Sequence, residues 1–237
     1  MALLLSLETS TQSCSVALHK EGALVASREI KTPRSAASQL AVMIQEVLNH
    51  SNKKPLDLQG VVVASGPGSY TGLRIGVATA KGLCYALGIP LIAINTLDLL
   101  SSQGKQHLVS HPTSDSKEFD DQILLCPMLD ARRMEVYCKL VDFNLNQVEA
   151  TQAKILDEDS FHEHLEGHII YFLGEGALKC SEIVHHYNAR FIPELVPEAT
   201  HVGVLGHLKW EQSLFEDIAL FEPFYLKDFL IKKPNLV

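Results

Sequence analysis

Between residues 60 and 94 the chain reads as strand, glycine loop, helix and strand, and this unit limits the possible folds more than any other feature. Gly60–Ser65 (GVVVAS) is β-branched and apolar on both faces, as an interior parallel strand must be. A Gly66-Pro67-Gly68 loop leads into a helix predicted over Thr71–Leu87, with Gly88 at the C-cap position and Pro90 just beyond. Pro90–Ile94 (PLIAI) is a second buried strand. Parallel strands joined this way need a right-handed crossover, so a helix covers the sheet.

The flanks extend the unit. Residues 3–7, 13–18 and 23–27 are short apolar runs separated by polar turns, which predicts an antiparallel meander. Ser35 or Ser38 caps a helix carrying Leu40, Ile44, Val47 and Leu48, and Lys53-Lys54-Pro55 ends it. Thr96 is the expected cap of a helix through Leu100, after which residues 101–122 turn polar and read as an interlobe connection. A second meander follows at Ile123–Leu129 and Glu135–Val141, joined by a turn at Asp130–Met134. A mostly polar stretch then reaches the strand Ile169–Leu173, a Gly174-Glu175-Gly176 turn and a helix. The expectation is an α/β chain of two lobes with one plan, a mixed sheet in each flanked by helices, divided into 1–105 and 106–237, with the C-terminal end returning to the first lobe.

Totals narrow the function. No apolar run reaches the ~20 residues that cross a bilayer, and Glu8 with Thr9, Ser10 and Thr11 cuts the apolar N-terminus short, so no membrane role and a cytoplasmic location are expected. The five cysteines are never spaced C-x-x-C and lie mostly in apolar segments, which predicts buried, reduced thiols. With 20 basic and 28 acidic residues the formal charge is −8, so nucleic acid is not held by a general basic surface. Lys53-Lys54 and the tail Lys227, Lys232 and Lys233 are the local exceptions.

Gly66-Pro67-Gly68-Ser69-Tyr70-Thr71-Gly72-Leu73-Arg74 is the most informative stretch. It follows a strand and opens a helix, where free N–H groups favour an anion. Its spacing is neither G-x-G-x-x-G nor a P-loop. The other reading is a tight turn whose glycines permit close packing, with Thr71 as cap.

This nonapeptide with the Ile75-Gly76 that follows it, the PLIAINTLDLL segment, the opening SLETSTQSCSVAL, LDARRMEVY at 129–137 and the terminal FYLKDFLIKKP resemble the TsaB (YeaZ) family, in the same order. The resemblance implies an actin-like (ribonuclease H-like) fold. It also implies a non-catalytic partner of TsaD, the subunit that transfers threonylcarbamoyl to adenosine of tRNA, with the P-loop ATPase TsaE joining the pair. It further implies a homodimer in isolation and tRNA contact only through the complex. TsaD-like chains bind a metal through two histidines just after the strand matching Pro90–Ile94; here Thr96 and Leu100 stand in those places. No metal site and no cofactor are therefore expected. His162, His164 and His168 imitate the metal motif in letters, some seventy residues later, by a helix end closed at Gly167. Of the two loops that would hold ATP in this fold, Glu8-Thr9-Ser10-Thr11 lacks glycine and Gly174-Glu175-Gly176 carries a carboxylate. What remains is a docking face, placed by the resemblance on the helices at 35–50 and 71–87 and assigned to Leu40, Ile44, Val47, Leu73, Val77, Ala78, Ala80 and Lys81. The rival is a metal- or ATP-dependent enzyme of the same fold, a kinase or a glycoprotease-like hydrolase. A peptidase has no Ser-His-Asp or Cys-His set to stand on.

Overall fold

A computed structural model describes residues 2–32, 36–112 and 122–227. Its strands form two five-stranded sheets. In the first, β1 (Leu3–Glu8), β2 (Cys14–Lys20) and β3 (Ala23–Ile30) make the expected meander. After α1 (Ala36–His50), the unit β4 (Gly60–Gly66), α2 (Tyr70–Leu87), β5 (Leu91–Asn95) adds two parallel strands beside β1, giving the order β3-β2-β1-β4-β5. α3 (Thr96–Ser110) leads to the second sheet. There β6 (Ile123–Asp130), β7 (Glu135–Asp142) and β8 (Gln147–Ile155) are antiparallel. The short α4 (His162–Leu165) and α5 (Gly176–Ser181) flank β9 (Ile169–Leu173), and β10 (Ala189–Ile192) precedes α6 (Ala199–Glu211). The order β10-β9-β6-β7-β8 repeats the first sheet's plan strand for strand. This duplication is the two-lobed, actin-like plan implied by the resemblance.

α1 and α2 cover one face of the first sheet, where Leu5, Leu7, Val16 and Leu18 meet Leu40, Met43, Val47 and Val77. α3 and α6 cover the other, over Leu4, Val62 and Ile92. α6 follows the second sheet in sequence yet packs on the first, because its glycines let it lie close. A Cβ on Gly203 would stand 2.0 Å from His19 Nδ1, and one on Gly206 would stand 2.5 Å from Val62. α3 serves both sheets. Leu99 joins the first core, whereas Leu97, Leu100 and Leu108 join Leu125, Tyr171 and Leu173 of the second. The division at 105 and 106 falls within this helix.

Several local expectations change. α3 runs to Ser110, not Leu100, because the polar residues that suggested a loop are satisfied inside it: Ser101 Oγ donates to Leu97 O at 2.8 Å and Gln103 Nε2 to Val196 O at 2.9 Å. Its cap is Asn95, whose Oδ1 accepts from Leu97 N at 2.9 Å, rather than Thr96. Ser38 lies inside α1, and Ser35 lies outside the described residues. β8, β10 and α6 arise where no element was expected. Gly88 closes α2 in the left-handed region (φ 64°), as expected. All five cysteines are buried and unpaired. Among the described residues no helix is long and apolar enough to cross a membrane.

Candidate functional site

The two lobes enclose a cleft of about 630 Å³. One wall is Ser10–Gln12 and the loop Pro67–Thr71; the other is Leu129–Arg132, Tyr137 and Glu175; Phe224–Lys227 border it. The walls sit at the ends of β1, β4 and β6, where parallel strands leave their loops on one edge.

The first wall is built by close approach. Ser69 N donates to Ser10 O at 2.6 Å, and a Cβ on Gly68 would stand 2.2 Å from that oxygen. Thr9 Oγ1 donates to Gly72 O at 2.8 Å, and Cβ atoms on Gly72 and Gly76 would stand 2.0 and 2.2 Å from Thr9 atoms. The glycines thus serve loop-on-helix packing, the tight-turn alternative. The cap of α2 is Ser69, whose Oγ accepts from Gly72 N at 3.2 Å, and not Thr71, because the helix begins at Tyr70. Glu8 is wholly buried behind this wall, with Oε1 accepting from Ser10 N at 2.5 Å. Burial pushes its carboxyl up to about 7, against the opposing hydrogen bonds from Ser10.

The second wall is a turn in which Arg132 (φ 68°) and Arg133 (φ 50°) are both left-handed. Asp130 Oδ1 accepts from Arg132 N at 2.5 Å and from Lys179 Nζ at 2.7 Å, and Lys179 also reaches Arg133 O at 2.5 Å. Lys179 therefore braces a conformation that non-glycine residues seldom adopt. Beside it, burial and then the Asp130 carboxylate push the Glu175 carboxyl above its ordinary range. Among the described residues, the acidic side chains lining the cleft are Asp130 and Glu175 and the basic ones Arg132 and Lys227. Asp130 is held by Lys179 and Lys227 by Glu135, so the lining carries no excess of positive charge. That balance does not favour a polyphosphate. Sequence reasoning singled out these loops but not Lys179, whose role exists only once α5 lies over the β6–β7 turn.

At the start of α3, Thr96 and Leu100 are both fully buried. Leu100 packs into the second core, and its side chain has no ligating atom. The three later histidines do not converge. His162 faces Glu166 at 3.5 Å, His164 faces Glu149 at 3.5 Å, and His168 Nδ1 lies 3.3 Å from His164 O. Among the described residues no group of three or more His, Cys, Asp or Glu side chains is arranged to hold a metal ion.

The docking residues divide sharply. Leu40, Ile44, Val47, Leu73, Val77 and Ala80 are buried in the first lobe's own core. A side chain spent on that core is not available to a second protein, so those six assignments are corrected. Ala78 is exposed. Lys81 is half-buried, its Nζ donating to Phe221 O at 2.8 Å. The outward stripe of α2 is instead Thr71, Arg74, Ala78, Gly82 and Tyr85, at helical spacing. Tyr85 is 85% exposed, and nothing lies within 4 Å of a Cβ placed on Gly82.

A profile of the TsaD family, described as tRNA N6-adenosine threonylcarbamoyltransferase, matches residues 31–228. The tRNA threonylcarbamoyladenosine biosynthesis protein TsaB of Bacillus subtilis is 34% identical over 140 residues, 59% of this chain and 55% of that protein. The Escherichia coli protein of the same name is 31% identical over 166 residues, 69% of this chain and 66% of that protein. The aligned segments thus span between about half and two thirds of these relatives. YeaZ from Pseudomonas aeruginosa superimposes with a TM-score of 0.78 over 95% of this chain and 100% of its own, at 23% identity, which shows a common fold.

Proposed function

The chain belongs to the TsaB (YeaZ) family, and on that premise we propose that it is the non-catalytic subunit of a tRNA threonylcarbamoyl-transfer complex, acting by binding and supporting a TsaD-type enzyme. The observation that carries the reading is Leu100. It stands where the resemblance places a metal-binding imidazole, and it is fully buried in the core between α3 and the second sheet. The cleft supports the same reading, since Asp130 and Glu175 offset Arg132 and Lys227 there and leave no excess of positive charge for a triphosphate.

The contribution of such a subunit lies in its surface. The stripe Thr71, Arg74, Ala78, Gly82 and Tyr85 has small residues at its centre, which let a partner helix approach closely, and a large exposed aromatic at one end. A TsaD-type chain is the proposed partner, with a second copy of this chain taking the same face in its absence. A TsaE-type ATPase joins the complex, and tRNA is met through it in the cytoplasm.

The test is a transfer assay on tRNA with purified components. This chain alone is inactive, the TsaD-type enzyme needs it, and calorimetric titration of the isolated chain with Zn²⁺ or ATP gives no micromolar binding. Micromolar affinity for either ligand, or transfer without the partner, would overturn the proposal in favour of an enzyme that uses Asp130 and Glu175.

A further inference from the structure

The segment after α6 returns along the first lobe. Glu216 N donates to Leu91 O at 2.9 Å, Ile218 and Phe221 pack against the first core, and Lys81 Nζ holds Phe221 O. These contacts anchor the chain as far as residue 221. Glu222 and Pro223 then carry it to the cleft, whose lining includes Phe224–Lys227.

Beyond Pro223 the contacts reach both lobes. Phe224 N donates to Ser65 O at 2.8 Å, and Gly66 makes room: a Cβ there would stand 2.7 Å from Phe224 O. The Tyr225 ring lies 5.1 Å from that of Tyr70, and its hydroxyl accepts from Arg74 Nε at 3.3 Å. Lys227 then crosses to the second lobe, where it pairs with Glu135 on β7 and sits 6.0 Å over the Tyr137 ring.

The two parts of the segment are held differently. Up to 221 the anchor includes apolar burial. Among the described residues, from 224 to 227 it is one backbone hydrogen bond, the Arg74–Tyr225 hydrogen bond and ring pair, and the exposed Lys227 pairing with Glu135 over Tyr137. Phe224 is 42% exposed and the Lys227 side chain 40% exposed. Surface ion pairs are weak, and segments without a buried apolar anchor open far more readily than a core. Pro223 marks the change and restrains the backbone at that point.

We propose that residues 224–227 are a strap that ties the two lobes across the mouth of the cleft and releases without unfolding either lobe. Entry to the cleft is then gated by the chain's own C-terminal segment. This holds whichever partner the protein serves.

Amide hydrogen exchange on the full chain tests it. Lys227→Glu and Glu135→Lys, made singly, each speed exchange at residues 68–71 and 130–135 about threefold or more, and the double charge swap restores the slow rate. Tyr225→Ala, which leaves the ion pair in place, speeds exchange at 68–71. Amides of α1 and β9 keep their protection in every variant. Unchanged exchange in the single variants and in Tyr225→Ala would overturn the strap, as would a double variant as fast as either single. Acceleration spread equally through α1 and β9 would show that the segment belongs to the global fold and is not a gate.

Discussion

Glu8 shows how burial rewrites a residue's chemistry. In sequence it marks where the first apolar run stops; in the structure it is fully buried at the end of β1. Its folded pKa is raised from 4.5 to about 7, so the stability linked to its protonation is complete below 4.5 and lost as pH rises through 7. Holding the ionised form inside at pH 8 costs roughly 3 kcal/mol. Glu8→Gln is therefore expected to raise stability to chemical denaturation at pH 8 and to change it little at pH 4.5. An equal effect at both values would mean that Glu8 ionises as an exposed carboxylate does. The acidic residue was visible in the sequence. Its raised pKa was not, because that depends on β2 and β4 flanking β1 and burying its end.

Among the elements, α2 was read closely and α3 poorly, for one reason. α2 has an apolar stripe, a glycine stop and a proline beyond it, all local signals. α3 is buried toward both sheets, so its buried positions include Ser101, Gln103 and Gly104, and no single stripe announces it. The same two-sidedness governs docking. An apolar residue on α1 or α2 read equally well as core or contact, and the structure commits Leu40, Ile44, Val47, Leu73, Val77 and Ala80 to the core. Ala78→Arg and Gly82→Arg, both on exposed positions of α2, are thus expected to weaken co-purification with a TsaD-type partner at least tenfold while leaving the thermal transition within a few degrees. Full retention of the partner by both variants would move the contact off this helix. Ala80→Glu, by contrast, places a carboxylate in the core and is expected to destabilise the lobe itself.

The whole molecule adds two opposed acid–base effects beneath its first sheet. Burial lowers the pKa of His19, packed under Gly203 of α6, and of His201 on that helix. Their stability contribution is complete above the unfolded value near 6.5 and lost as pH falls through the lowered folded values. Just below pH 6.5 this slope runs against that of Glu8. The wild-type stability should therefore depend less steeply on pH there than Glu8 alone would dictate, whereas Glu8→Gln, left with the histidines alone, should lose stability as pH falls below 6.5. Parallel profiles for the two proteins would disprove the opposition. Lobe docking is held by further long-range pairs, such as Lys139 on β7 with Asp98 on α3. From the residues alone one could read the two meanders, the parallel unit at 60–94, the missing imidazoles at Thr96 and Leu100, and the family likeness, because each is carried by neighbours within a few positions. The tertiary structure alone decided that α6 returns to the first sheet, that α3 is shared, that Lys179 braces the Arg132 turn and that Phe224–Lys227 cross the cleft. Those contacts join residues far apart in the chain, and no local pattern encodes a distance that folding has yet to create.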